Sequence, residues 1–172
     1  TRAHYTYTIP DTVPVTTAYD AKNQATTTTY DFRGRVTTVA PPAGPSVTYA
    51  YDEADRLYTA TRGGATTTLT YDKAGRKTNL SDPDMGAWSY AYDGLGNLTG
   101  QTDARAQTTC LYYDTLNRPK GKNYRSDVYC PAADPGSYSV TFTYDATANG
   151  NLGVGRRTSM TDGSGSTAWT YD

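Results

Sequence analysis

The chain has 172 residues, 36% of them hydrophobic, which is below the roughly 45–50% apolar share of an ordinary globular domain, and 16 Lys+Arg against 17 Asp+Glu leave a formal charge of -1. These values exclude a large conventional core, and the balanced charge with no Lys/Arg run excludes nucleic acid as the main partner. No stretch approaches the ~20 consecutive apolar residues of a membrane span, and Thr1-Arg2-Ala3-His4 is neither a signal peptide nor an ordinary start, so the chain reads as an excerpt of a longer one.

Residues 1–18 read as a lead-in with strand character, in which Tyr5, Tyr7 and Ile9 alternate, and residues 19–172 read as tandem repeats. The dipeptide Tyr-Asp begins at residues 19, 30, 51, 71, 92, 113, 144 and 171, giving intervals of 11, 21, 20, 21, 21, 31 and 27. The unit reads Y-D-x-x-[G/N/D]-[R/N]. In chain order it is carried by Tyr30, Asp31, Gly34 and Arg35; Tyr51, Asp52, Asp55 and Arg56; Tyr71, Asp72, Gly75 and Arg76. It continues in Tyr92, Asp93, Gly96 and Asn97; Tyr113, Asp114, Asn117 and Arg118; and Tyr144 and Asp145, where residues 146–152 interrupt it before Gly155-Arg156 resumes.

Each part of the unit has a task in a β-hairpin. The Asp accepts backbone N–H groups two or so residues on, and Gly, Asn or Asp three residues later tolerates positive φ, the chemistry of a type I turn closed by a left-handed residue. The following Arg starts the return strand and adds a surface ion pair to the Asp, worth at most ~1 kcal/mol.

The segments before each Tyr-Asp alternate with period two. Val47, Tyr49 and Tyr51 share a face, as do Trp88, Tyr90 and Tyr92, then Tyr138, Val140, Phe142 and Tyr144, while Thr48, Ala50, Ser89, Ala91, Thr141 and Thr143 occupy the other. Thr-rich stretches such as Thr26-Thr27-Thr28-Thr29 favour strand. The expected fold is all-β: an antiparallel hairpin meander of tandem ~21-residue repeats, with roughly 13 or 14 strands and a sheet that coils, its aromatic face inward.

Catalysis by a Ser-His-Asp or Cys-His arrangement needs a positioned histidine, and the sequence has only His4. The repeat aspartates recur once per turn, the distribution of a structural residue. Asp82 and Asp84 match no calcium-loop spacing. We therefore expect no catalytic residue, no metal site and no cofactor. The aromatic face has a sugar-stacking reading beside the packing one, decided by whether Trp88, Tyr90 and Tyr92 are covered. Cys110 and Cys130 lack metal-ligand spacing. They either remain free thiols or pair, in which case the bridge would pin the loop before Ser137 to its hairpin and stabilise by roughly 3 kcal/mol in the chain-entropy model.

The tandem Y-D-x-x-G-R units resemble the YD repeats of Rhs proteins, of the BC component of insecticidal toxin complexes, of bacterial wall-associated proteins and of teneurins. The resemblance implies a β-strip that forms part of a hollow shell, secreted or displayed at the cell surface. Its partners would be the rest of its own longer chain and an enclosed polypeptide cargo of the toxin type. The alternative it leaves open is a cell-surface adhesin or carbohydrate-binding repeat surface, with a cell-surface glycan as partner. Toxin relatives close the shell with an aspartyl autoprotease region around a D-P-x-G motif; Asp82-Pro83-Asp84-Met85-Gly86 and Asp134-Pro135-Gly136 depart from it and read as turns.

Overall fold

The computed structural model describes residues 4–8 and 13–172, with side chains from residue 13 onward. Ile9 lies outside the described residues, as do the side chains of His4, Tyr5 and Tyr7. The chain divides into two compact units, Thr1–Gly86 and Ala87–Asp172. The first carries β1 (His4–Thr8), β2 (Val15–Tyr19), β3 (Ala25–Tyr30), β4 (Val36–Ala40), β5 (Val47–Tyr51), β6 (Leu57–Arg62), β7 (Ala65–Tyr71) and β8 (Lys77–Asp82). The second carries β9 (Gly86–Tyr92), β10 (Leu98–Thr102), β11 (Thr108–Tyr113), β12 (Pro119–Arg125), β13 (Val140–Tyr144), β14 (Arg157–Asp162) and β15 (Gly165–Ala168). Within each unit the strands pair antiparallel in chain order.

Among the described residues there are fifteen strands, in keeping with the roughly 13 or 14 expected. Connections such as Gly63-Gly64 are tight two-residue turns, both residues at positive φ (57° and 89°). The Tyr19-Asp20 pair turns the chain at the opposite strand ends from Tyr30-Asp31, because a single strand, β3, separates them. That accounts for the 11-residue interval at the start of the series.

The turn at Asp31 shows how the repeat residues make a hairpin. Asp31 Oδ1 accepts the N–H groups of Arg33 and Arg35, both at 2.9 Å. The Gly34 N–H closes the type I turn on the Asp31 carbonyl at 3.0 Å, and Gly34 sits at φ 79°, where a Cβ would be strained. The register then shifts by one residue at Tyr30, a bulge that twists the return strand. The same bonds recur at Asp52, Asp72, Asp93 and Asp114. Asp145 differs: it is itself at φ 65°, and the interruption allows Gly155 N–H to donate to its Oδ1 at 2.6 Å.

One further turn of this kind lies at Asp103. Its Oδ1 accepts from the Arg105 and Gln107 N–H groups, both at 2.9 Å, and Ala106 holds the left-handed position at φ 59°. No tyrosine precedes Asp103, and no Gly, Asn or Asp marks the fourth place.

Burial is thin. Most strand residues are half-buried on either face, and among the described residues the buried hydrophobic side chains are Leu80 in the first unit and Cys110, Tyr112, Val140 and Phe142 in the second. The repeat tyrosines are half-buried, so they act at the sheet's surface instead of filling a closed core.

The turn carboxyls are held below the usual carboxylate range. At Asp52, Asp72, Asp103 and Asp114 the strongest influence is the backbone N–H four residues on, which outweighs partial desolvation. At Asp31 desolvation is the larger single effect, overcome by the combined donors of Arg35 and Arg33. A carboxyl depressed in the folded state contributes stability above its unfolded value of ~3.9 and loses it as pH falls through the folded value. The thermal midpoint is therefore expected to be flat from about pH 7 to about pH 5 and to fall steeply between about pH 4 and about pH 2, followed by circular dichroism. Ala106→Gly removes left-handed strain and is expected to stabilise by about 0.5–1 kcal/mol, read as a raised urea midpoint.

Candidate functional site

Successive hairpins are joined along the strand ends that carry the Tyr-Asp turns. The hydroxyls of five of these tyrosines donate to a carbonyl at the start of the preceding hairpin's return strand: Tyr51 to Val36 (2.8 Å), Tyr71 to Leu57 (2.7 Å), Tyr113 to Leu98 (2.9 Å), Tyr144 to Pro119 (2.7 Å) and Tyr171 to Arg157 (2.7 Å). The arginine beside that carbonyl lays its guanidinium over the same ring. Arg35 stands 4.6 Å from the Tyr51 centroid, Arg56 4.8 Å from Tyr71, Arg118 4.3 Å from Tyr144 and Arg156 4.7 Å from Tyr171.

The same guanidinium is tied to its own turn, with Arg35 Nε 2.6 Å from Asp31 Oδ2, and Arg56, Arg76 and Arg118 at 2.7 Å from theirs. It also reaches the next turn: Arg35 donates to Asp55 Oδ1 at 2.5 Å, Arg56 to the Asp72 carbonyl at 3.0 Å and Arg118 to Asp145 Oδ1 at 3.0 Å. The arginine therefore does more than the expected ion pair. It is a joint between hairpins, a role hidden in the sequence because its aromatic partner lies in the next repeat.

A second feature is residues 126–139, the connection between β12 and β13. Cys110 and Cys130, twenty residues apart in sequence and 5.5 Å between Cα atoms, are joined as a disulfide that holds this connection on the sheet. Cys110 pairs with Gly100, and Tyr112 with Gly121, so these residues share one face. The missing side chain at Gly121 makes room for the Tyr138 ring, which a Cβ there would meet at 2.2 Å. Tyr138 also packs on Tyr112 with centroids 5.4 Å apart. The expectation that Tyr138 shares a face with Val140 and Phe142 is corrected: Gly121 pairs with Thr141, which places the Tyr138 ring on the opposite side. The reason is that β13 begins only at Val140, so the alternation does not extend back to Tyr138.

The Asp134 carboxylate fastens the far part of this strap. It pairs with the Lys120 ammonium and accepts from the Tyr138 hydroxyl at 2.5 Å and the Gly136 N–H at 3.0 Å. These donors, Lys120 foremost, pull its carboxyl down to about 2. Asp82 likewise closes a turn, accepting from Asp84 and Met85 N–H groups and from the Thr67 hydroxyl. Trp88, Tyr90 and Tyr92 are half-buried, neither sealed nor open. Among the described residues no group of three or more His, Cys, Asp or Glu is placed to hold a metal ion, and no helix is long and apolar enough to cross a membrane.

Tyr71→Phe deletes the hydroxyl that satisfies the Leu57 carbonyl and is expected to cost about 1 kcal/mol. Tyr71→Leu also removes the surface under Arg56 and is expected to cost about 0.5–1 kcal/mol more, with both read from urea unfolding.

The chain is similar to a number of solved structures, among them three of TcdB2-TccC3. "TcdB2-TccC3-TEV" gives a TM-score of 0.70 at 14% identity over 95% of this chain and 9% of that one. "TcdB2-TccC3-Cdc42" gives 0.67 at 12% over 98% and 11%, and "TcdB2-TccC3 without hypervariable C-terminal region" gives 0.57 at 17% over 88% and 8%. The chain thus spans about a tenth of the length of these neighbours, which share its fold. No curated protein matches it. Residues 11–148, which contain all of these joints but the last, match the model of the Teneurin YD-shell, and the chain belongs to that family.

Proposed function

We propose that this chain is a wall segment of an exported YD-repeat shell that encloses or displays another polypeptide, and that it contributes no catalytic step of its own. The observation that carries this reading is the joint: within each unit, carboxylate, guanidinium, ring and hydroxyl recur in binding one hairpin to its neighbour, in a sheet with almost no buried core. A wall needs such continuity along the repeat, whereas an active site needs one unlike environment.

Two supports come from outside the joint. The structural neighbours carry different third components, TEV and Cdc42, on the same TcdB2-TccC3 scaffold, which suits a container indifferent to its contents. The Cys110–Cys130 bridge suits an oxidising compartment, hence export.

The full-length protein tests this reading by limited proteolysis. The polypeptide downstream of the repeats is expected to survive protease doses that destroy the same polypeptide expressed alone, and to become sensitive once the wall is unfolded by acid. Equal cleavage rates in the two settings overturn enclosure. Saturable binding of the repeats to defined glycans, with no such protection, establishes the adhesin alternative in its place.

A further inference from the structure

The joint between the fifth and sixth hairpins in chain order of the Tyr-Asp series, at Tyr92-Asp93 and Tyr113-Asp114, departs from the others in one residue. Asn97 stands where Arg35, Arg56, Arg118 and Arg156 stand elsewhere. The backbone part of the joint is intact, since Tyr113 still donates to the Leu98 carbonyl at 2.9 Å. Asn97 Nδ2 copies the tie to its own turn at Asp93 Oδ2 (2.9 Å) and the reach to the next turn at Asn117 Oδ1 (3.1 Å). Its amide is neutral and short, however, and no cation lies over the Tyr113 ring among the described residues.

A cleft of about 410 Å³ opens at this place. Asn97, Tyr113, Asn117 and Asp93 line it together with Pro131 and Asp134 of the disulfide-held strap and with Lys120, whose ammonium is paired with Asp134. The Tyr113 hydroxyl is held protonated to higher pH than usual, first by partial desolvation and then by the negative charge of Asp93, so the ring lies in the field a cation would relieve. A guanidinium suits the position better than an ammonium. At the sister joints a planar fork stacks on the ring while bonding edge-on to the turn carboxylate and the following turn, a combination that the point charge of lysine does not reproduce.

We propose that this cleft is a binding site for the guanidinium of an arginine side chain from another polypeptide segment, seated over Tyr113 against Asn97 and Asn117 in the place that the chain's own arginines fill at the sister joints. The site stands on the missing arginine and the cleft, and does not rest on the shell enclosing anything. Selectivity follows from its shape: arginine in, lysine disfavoured.

The test uses L-argininamide as probe, with L-lysinamide as control, and reads by NMR the Tyr113 ring resonances together with the side-chain amide resonances of Asn117, which remain in every variant. Argininamide is expected to give a saturable shift at millimolar concentration, with lysinamide binding more weakly by roughly threefold or more. Asn97→Arg fills the seat from within and is expected to abolish the shift while raising the thermal midpoint. Tyr113→Leu is expected to lose binding with its far-ultraviolet circular dichroism unchanged, and serves where the arginine variant does not fold. A linear, non-saturating response, equal affinity for the two probes, or undiminished binding in a folded Asn97→Arg or Tyr113→Leu protein overturns the proposal. An arginine-bearing peptide that binds more tightly than argininamide at the same ring places the occupant in a polypeptide, and one that binds no better overturns that part of the assignment.

Discussion

A sheet with both faces half-open cannot rely on a core, so cohesion between hairpins has to come from directional contacts, and the turn aspartate organises them. One carboxylate oxygen closes the turn on backbone N–H groups and the other holds the arginine, whose guanidinium is thereby fixed in orientation before it meets the next tyrosine. A long side chain in water surrenders rotamer freedom to make such a stack. Here the ion pair and the ring share that entropic cost, which is why a contact worth little at an isolated surface site becomes useful when repeated.

The joint also explains which parts of the repeat tolerate change. Tyr71 reaches a carbonyl 14 residues back, and Tyr144 reaches its equivalent 25 residues back, yet both bonds are 2.7 Å long. The extra residues fall in the β12–β13 connection, at the strand ends away from the joint. Insertions there change the spacing of the Tyr-Asp signal without disturbing what the signal builds, so irregular intervals coexist with regular geometry.

Strands, turns and the repeating Tyr-Asp unit were legible because each is a local matter: alternation over five to seven residues, an Asp followed by a residue that accepts positive φ. The joint was not, because Arg35 and Tyr51 belong to different hairpins and nothing local distinguishes a stacked arginine from a solvated one. The Asp103 turn escaped notice because Ala106 occupies its left-handed position, where the surrounding hairpin overrides the preference of alanine. Tyr138 lies on the face opposite to the one alternation predicts, because it precedes β13, in a segment whose path is set by a disulfide and a glycine on neighbouring strands. Asn97 was visible as a variant of the repeat, but its meaning depended on knowing what an arginine does there.

The strap shows how a thin wall acquires local depth. Gly100 and Gly121 leave shallow ground beside Cys110 and Tyr112, and residues 126–139 settle on it through a covalent bond, a ring stack and a charged anchor. Burial follows: Cys110 and Tyr112 are among the few buried apolar side chains, and Thr102 and Thr108 beside them are buried with their hydroxyls bonded to each other at 2.8 Å. A second layer has been added without altering the meander beneath it, because the residues that admit the strap point away from the backbone ladder and the strap enters from the free ends of the strands. A changed joint and the added layer meet beside Asn97, while the hairpins on either side keep their common construction.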